Sequence, residues 1–144
     1  MGTRRKGRIL AFQALYAWDM TGGKKSDLSD NLDLCRDEDQ KDTDMDFTRL
    51  LFMGTVENVN SVDSLIRKHL VNWDFSRLNK VDLALLRLGV YELLFNIAPP
   101  KVIIDEAIDI SKEYGTDDSF RFVNGVLDGV RKTLVKSGDE GEKL

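Results

Sequence analysis

Arg4, Arg5, Lys6 and Arg8 put four cations within five residues, and Phe12 and Tyr16 follow them in the stretch "TRRKGRILAFQALYAW". On an α-helix, at about 100° per residue, Arg5, Phe12 and Tyr16 fall within about 40° of one another, with Arg8 beside them. Cations followed by aromatic rings on one strip suit single-stranded RNA: the cations pair with phosphates and exposed rings stack on bases. The placement has a cost. A helix N-terminus carries partial positive charge, so each cation there is unfavourable by a few tenths of a kcal/mol, up to about 1. The same end favours anions, so bound phosphates would offset the repulsion. A plainer alternative stands beside this one, in which Phe12 and Tyr16 are core residues and the basic end is only solvated.

Little other chemistry is available. The single histidine, His69, falls on the apolar face of its helix and reads as a packing or capping residue. The single cysteine, Cys35, has no second Cys and no His near it in sequence, which argues against a disulfide, a metal site or a nucleophile. No Gly-rich phosphate loop is present, and "GTDDS" lacks the lysine that would hold a phosphate. Asp105, Glu106 and Asp109 share a helix face whose default reading is a solvated one. Nothing assembles a nucleophile, a base and an orienting group, so a binding protein without cofactor or metal is expected, not an enzyme.

The elements that must position the cations read as helices. Only two prolines occur in 144 residues, and hydrophobic residues make up 42%. The first helix is predicted over about 4–20, ended by Thr21-Gly22-Gly23. A short helix near 27–36 is followed by the acidic stretch "RDEDQKDTDMD", with Asp44 or Thr43 capping the next element. Apolar residues at helical spacing run from Met45 to Leu70, with a break near 58–61. Ser76 is the expected cap of the strongest helix, 77–96, which is apolar on most of its circumference and therefore central. Pro100 opens the next helix, which Gly115 stops, and a last helix carries Phe120, Val123, Val126, Leu127 and Val130. The expectation is an all-α fold of six or seven helices, forming one domain over 1–136 with a disordered tail at 137–144.

The net charge of −4 argues against indiscriminate nucleic-acid binding, yet the charge is unevenly spread. Residues 27–46 hold nine acids against two bases, whereas 4–8 hold only cations. No apolar run approaches a membrane span and no signal peptide is legible, so a cytoplasmic protein is expected.

"RRKGRILAFQALYAWD", "LNKVDLALLRLGVYELLF", "PPKVIIDEAIDISKEYG" and "DDSFRFVNGVLDGV", in unbroken order from Arg4 to about Val130, resemble the NusB family of transcription antitermination factors. The combination is specific where any one motif alone would be weak. The resemblance implies two small helical bundles packed across each other. It implies partnership with NusE, a small-subunit ribosomal protein, on the boxA segment of nascent RNA, within a complex that helps RNA polymerase read through terminators, notably on rRNA operons. It assigns RNA contact to Arg4, Arg5, Lys6, Arg8 and Tyr16, and a NusE-facing role to Asp82 and Asp118. Asp82 also reads as a solvated helix residue, and Asp118 as a helix cap. Phe122 matches a family position but reads as core, and Phe120 stands where relatives tend to be polar. Gly7 stands where relatives often have Ala, so the first turn is expected to be partly disordered without RNA. The resemblance leaves room for a homodimer formed through surfaces also used for RNA. A helical scaffold that binds only protein is the rival reading. Salt separates the two: four phosphate contacts on a single strand give a log K against log salt slope of roughly −3, and a scaffold binds no RNA specifically at any salt.

Overall fold

A computed structural model describes residues 2–23 and 44–142, with side chains through 135. The predicted helix near 27–36, Cys35 and most of the acidic stretch lie outside the described residues. Within them the protein is all-helical, with six α-helices, one short 3-10 turn and no strand.

Helix α1 spans Thr3–Met20 and buries Leu10, Ala11, Ala14, Leu15 and Trp18 on one side. Gly22 and Gly23 end it in left-handed conformations, φ 100° and 69°, which glycine adopts without a Cβ penalty. Helix α2 spans Met45–Glu57. Its cap is Asp44, whose carboxylate accepts from the Phe47 amide at 3.0 Å. The predicted break falls at Asn58, and α3 follows as Val59–Lys68.

Helix α4 spans Lys80–Leu94. Its cap is Asn79, which accepts from the Val81 amide at 2.8 Å, and not Ser76 as expected. Ser76 instead sits in a 3-10 turn, Phe75–Arg77, with its amide bonded to the Asp74 carboxylate at 3.1 Å. Leu78 and Asn79 are extended between turn and helix, so capping passes to the residue that directly precedes helical backbone. Helix α5 spans Pro100–Tyr114, with proline at its first position as predicted. Helix α6 spans Ser119–Glu142 and runs through Asn124-Gly125. It also continues past 137, where a disordered tail was expected; no proline interrupts that stretch.

The apolar circumference of α4 determines the architecture. Leu83 to Leu93 are buried almost without interruption, and α4 packs against all five other helices. Helices α1, α2 and α3 gather on one side of it, and α5 and α6 pack on each other on the other. These are the two crossed bundles. Among the buried charges on α4, Arg87 holds both carboxylate oxygens of Asp63 on α3 at 2.9 Å.

The first turn of α1 is helical, contrary to the disorder expected from Gly7. Gly7 serves a close approach instead. A Cβ there would lie 3.0 Å from the Thr48 hydroxyl and 3.2 Å from the Phe47 ring, so the missing side chain lets α1 lie against α2.

Candidate nucleic-acid interface

The four cations of α1 do not act alike. Arg4 is exposed and its guanidinium lies 4.6 Å from the centroid of the Phe47 ring, a cation–π distance. Arg8 lies 5.2 Å from the same ring, so Phe47 at the start of α2 braces both. Arg5 is one-third exposed: its Nε donates to Glu106 at 2.6 Å and one Nη donates to Asp109 at 2.7 Å, both on α5. These hydrogen bonds raise its pKa further above the ordinary arginine value. Lys6 is half-buried.

Arg8 is turned inward and only 4% exposed. Its Nε lies 3.1 and 3.2 Å from the two carboxylate oxygens of Glu92, and Nη2 donates at 2.9 Å. In this arrangement Arg8 does not offer its guanidinium to a phosphate. The reason lies on the helical wheel. Arg8 shares its direction with Leu15, which faces the core, and a guanidinium there needs a buried carboxylate. Glu92 supplies it from α4. Burial raises the Glu92 pKa, and Arg8 opposes that shift.

Further along α1, Phe12 is buried and packs on Tyr114 of α5, ring centroids 5.5 Å apart. Tyr16 and Tyr114 are both partly exposed, and with Phe12, Gln13 and Val81 they line a shallow groove of about 200 Å³. The structure therefore sets Arg4, Arg5, Lys6 and Tyr16 along the α1 surface, removes Arg8 and Phe12, and adds Tyr114. The available signal for Tyr114 was an aromatic residue directly before a helix-ending glycine, where no core position is required. The groove is open and lined by three aromatic residues, which suits a nucleobase more than an enclosed small molecule.

The two acids assigned to a partner come together elsewhere. Asp82, in the first turn of α4, and Asp118, just before α6, line one cleft of about 400 Å³ with Trp73, Arg77 and Phe122. Asp82 is 8% exposed, and its Oδ1 has no hydrogen-bond partner within the described structure. Burial raises its pKa, and a hydrogen bond to Ser119 partly counters that. Asp118 is exposed and lies 3.7 Å from Arg121. The turn before α6 is held by the Ser119 hydroxyl, which accepts from the Thr116 amide at 2.9 Å. Phe122 is half-buried, 5.9 Å from Trp73. The Phe120 ring lies 5.2 Å from both the Lys112 ammonium and the Arg121 guanidinium, a cationic contact that accounts for an aromatic residue at this position.

The raised pKa of Asp82 carries a stability consequence. Its protonated form is favoured on folding, so this contribution is present below the unfolded carboxyl pKa and is lost as pH rises through the higher folded value. Asp82→Asn is therefore expected to stabilise the protein by about 1 kcal/mol at pH 7 and to leave it unchanged at acid pH. Urea titrations at both pH values check this.

Comparison with known proteins identifies the family and the fold. The model of the NusB family matches residues 5–132. Transcription antitermination protein NusB of Treponema pallidum (strain Nichols) is 51% identical over 131 residues, covering 90% of this chain and 93% of its own. T. maritima NusB superposes with a TM-score of 0.79 at 40% identity, covering 92% of this chain and 93% of its own. A structure of antitermination factors NusB and NusE in complex with dsRNA superposes at 0.75 with 30% identity, covering 91% and 97%. The shared helical order, the sequence identity and the extent of the match lead to one assignment: the chain belongs to the NusB family.

Proposed function

We propose that this chain is a transcription antitermination factor. It binds boxA RNA together with NusE and promotes read-through by RNA polymerase, notably on rRNA operons, acting in the cytoplasm as a binding protein and not an enzyme. The observation that carries the reading is the cluster of cations around the first turn of α1, Arg4, Arg5 and Lys6, with Tyr16 further along the helix beside Tyr114 of α5. The family assignment and the relatives' role support it. Arg4, Arg5 and Lys6 contact phosphates, and Tyr16 offers a ring to a base. Arg8 acts through Glu92 by fixing the first turns of α1. Asp82 and Asp118 face NusE: a buried, unpartnered carboxylate oxygen beside an exposed acid suits basic groups of a partner.

The test is a fluorescence anisotropy titration with a short boxA-like RNA and a scrambled control, with and without NusE, at two or more salt concentrations. Selective binding that tightens with NusE is expected. The slope of log K against log salt should be near −2, since three cations and not four are placed to meet phosphates. Equal binding of both RNAs would reduce the site to a basic patch, and no RNA binding under any condition would favour the protein-only scaffold.

A further inference from the structure

Two carboxylates stand where an RNA site should not want them. Glu106 and Asp109 reach from α5 to Arg5 at 2.6 and 2.7 Å, beside Arg4 and Lys6. As a partly exposed pair they add little to stability, because solvent screens them and ordering the side chains costs entropy. Their effect on a polyanion is larger. They occupy the Nε edge of Arg5 and place two negative charges next to the cluster, leaving Nη1 and one further hydrogen for a phosphate.

We propose that Glu106 and Asp109 are specificity-determining residues of the RNA site, acting by excluding phosphates from the α5 side of Arg5. The inference rests on the RNA-binding reading above. A strand lying across α1 can place its phosphates in several registers. Those that bring a phosphate close to Glu106 or Asp109 are penalised by like-charge repulsion, and those that keep phosphates on the far edge of Arg5 are not. The cognate RNA, held in register by its bases on the aromatic groove, takes the permitted register. An unrelated RNA has no such hold and samples them all. The two acids therefore weaken wrong complexes more than the right one.

The experiment uses the full chain carrying Glu106→Gln and Asp109→Asn, substitutions that keep side-chain shape while removing charge. Scrambled RNA is expected to bind roughly fivefold tighter than to wild type, and boxA-like RNA to change by less than about twofold, so that selectivity falls. The salt slope for scrambled RNA should steepen by about 0.7, the value of one more phosphate on a single strand. Asp109→Asn alone, at an exposed side chain, should shift in the same direction by about half as much on a logarithmic scale, and circular dichroism should show unchanged helicity for both. Loss of boxA affinity with scrambled binding unchanged would overturn the proposal and make the acids positioning residues for Arg5. Equal shifts for both RNAs, or none, would overturn it too. Selective boxA binding by wild type in the same titrations keeps that failure separate from failure of the antitermination reading, whereas wild type that binds neither RNA removes both.

Discussion

Arg8→Ala is expected to cost about 3–5 kcal/mol and to lower the melting temperature by roughly 6–20 °C. The loss does not come from the missing side chain so much as from what it leaves behind. Glu92 is 2% exposed, and its ionised form has Arg8 as its charge-assisted donor at 2.9 Å. Without Arg8 the carboxylate must stay charged in a dry site, take up a proton, or draw water in. Burial already raises its pKa with Arg8 in place, and removal of Arg8 takes away the opposing pull. The sign of the pH dependence follows. The protonated form is favoured on folding, so the deficit of the variant should be smallest below the unfolded carboxyl pKa and grow as pH rises through the folded one. Replacing both partners, Arg8→Met with Glu92→Leu, should recover most of the stability, since no charge is then stranded. Thermal melts at several pH values check each step. A loss under about 1 kcal/mol at neutral pH would show that the pair is not the buried anchor its distances imply.

The second large effect is on binding. Arg4→Glu with Lys6→Glu is expected to lower RNA affinity by about a hundredfold at low salt and to flatten the salt slope toward zero. Fold should survive. Acids in the first turn of a helix are favourable by a few tenths of a kcal/mol each, which works against the loss of the Arg4 cation–π contact and of the interaction that Lys6 makes. Helicity and melting temperature should therefore stay level while affinity collapses. Anisotropy and circular dichroism on one preparation read both. Affinity held within threefold would take the RNA site away from α1. This pair is a cleaner probe than any variant that includes Arg8, where a fall in affinity would report on the fold.

The helices were legible in the sequence because their signals are local. Glycines at 22 and 23, Pro100 and the near-continuous apolar run of α4 act within a few residues of themselves. What was not legible depends on a second element. Arg8 reads as one more cation until Glu92, 84 residues away, is placed opposite it. Arg5 reads as a free phosphate ligand until α5 brings up two acids. Gly7 reads as a weak helix residue until α2 is seen to need its space. Ser76 and Asn79 are both good caps, and only the path of the backbone through Leu78 decides between them. The pairing of Asp82 with Asp118 in one cleft came from resemblance and not from spacing, since 35 residues and a whole helix lie between them.

Helix α4 anchors both surfaces. Glu92 near its end holds the first turns of α1, the proposed RNA side, through Arg8, and Asp82 near its start opens into the cleft proposed for the partner. Ten residues separate them, about 15 Å along one helix. Because α4 is buried on nearly every side, its central amides can exchange with solvent only when the whole domain opens. Any ligand that binds the closed form slows that opening by the factor 1 + [L]/Kd. RNA at one end and protein at the other should thus protect the same slow-exchanging amides of α4. Hydrogen exchange there reports occupancy of either surface without a label on either ligand.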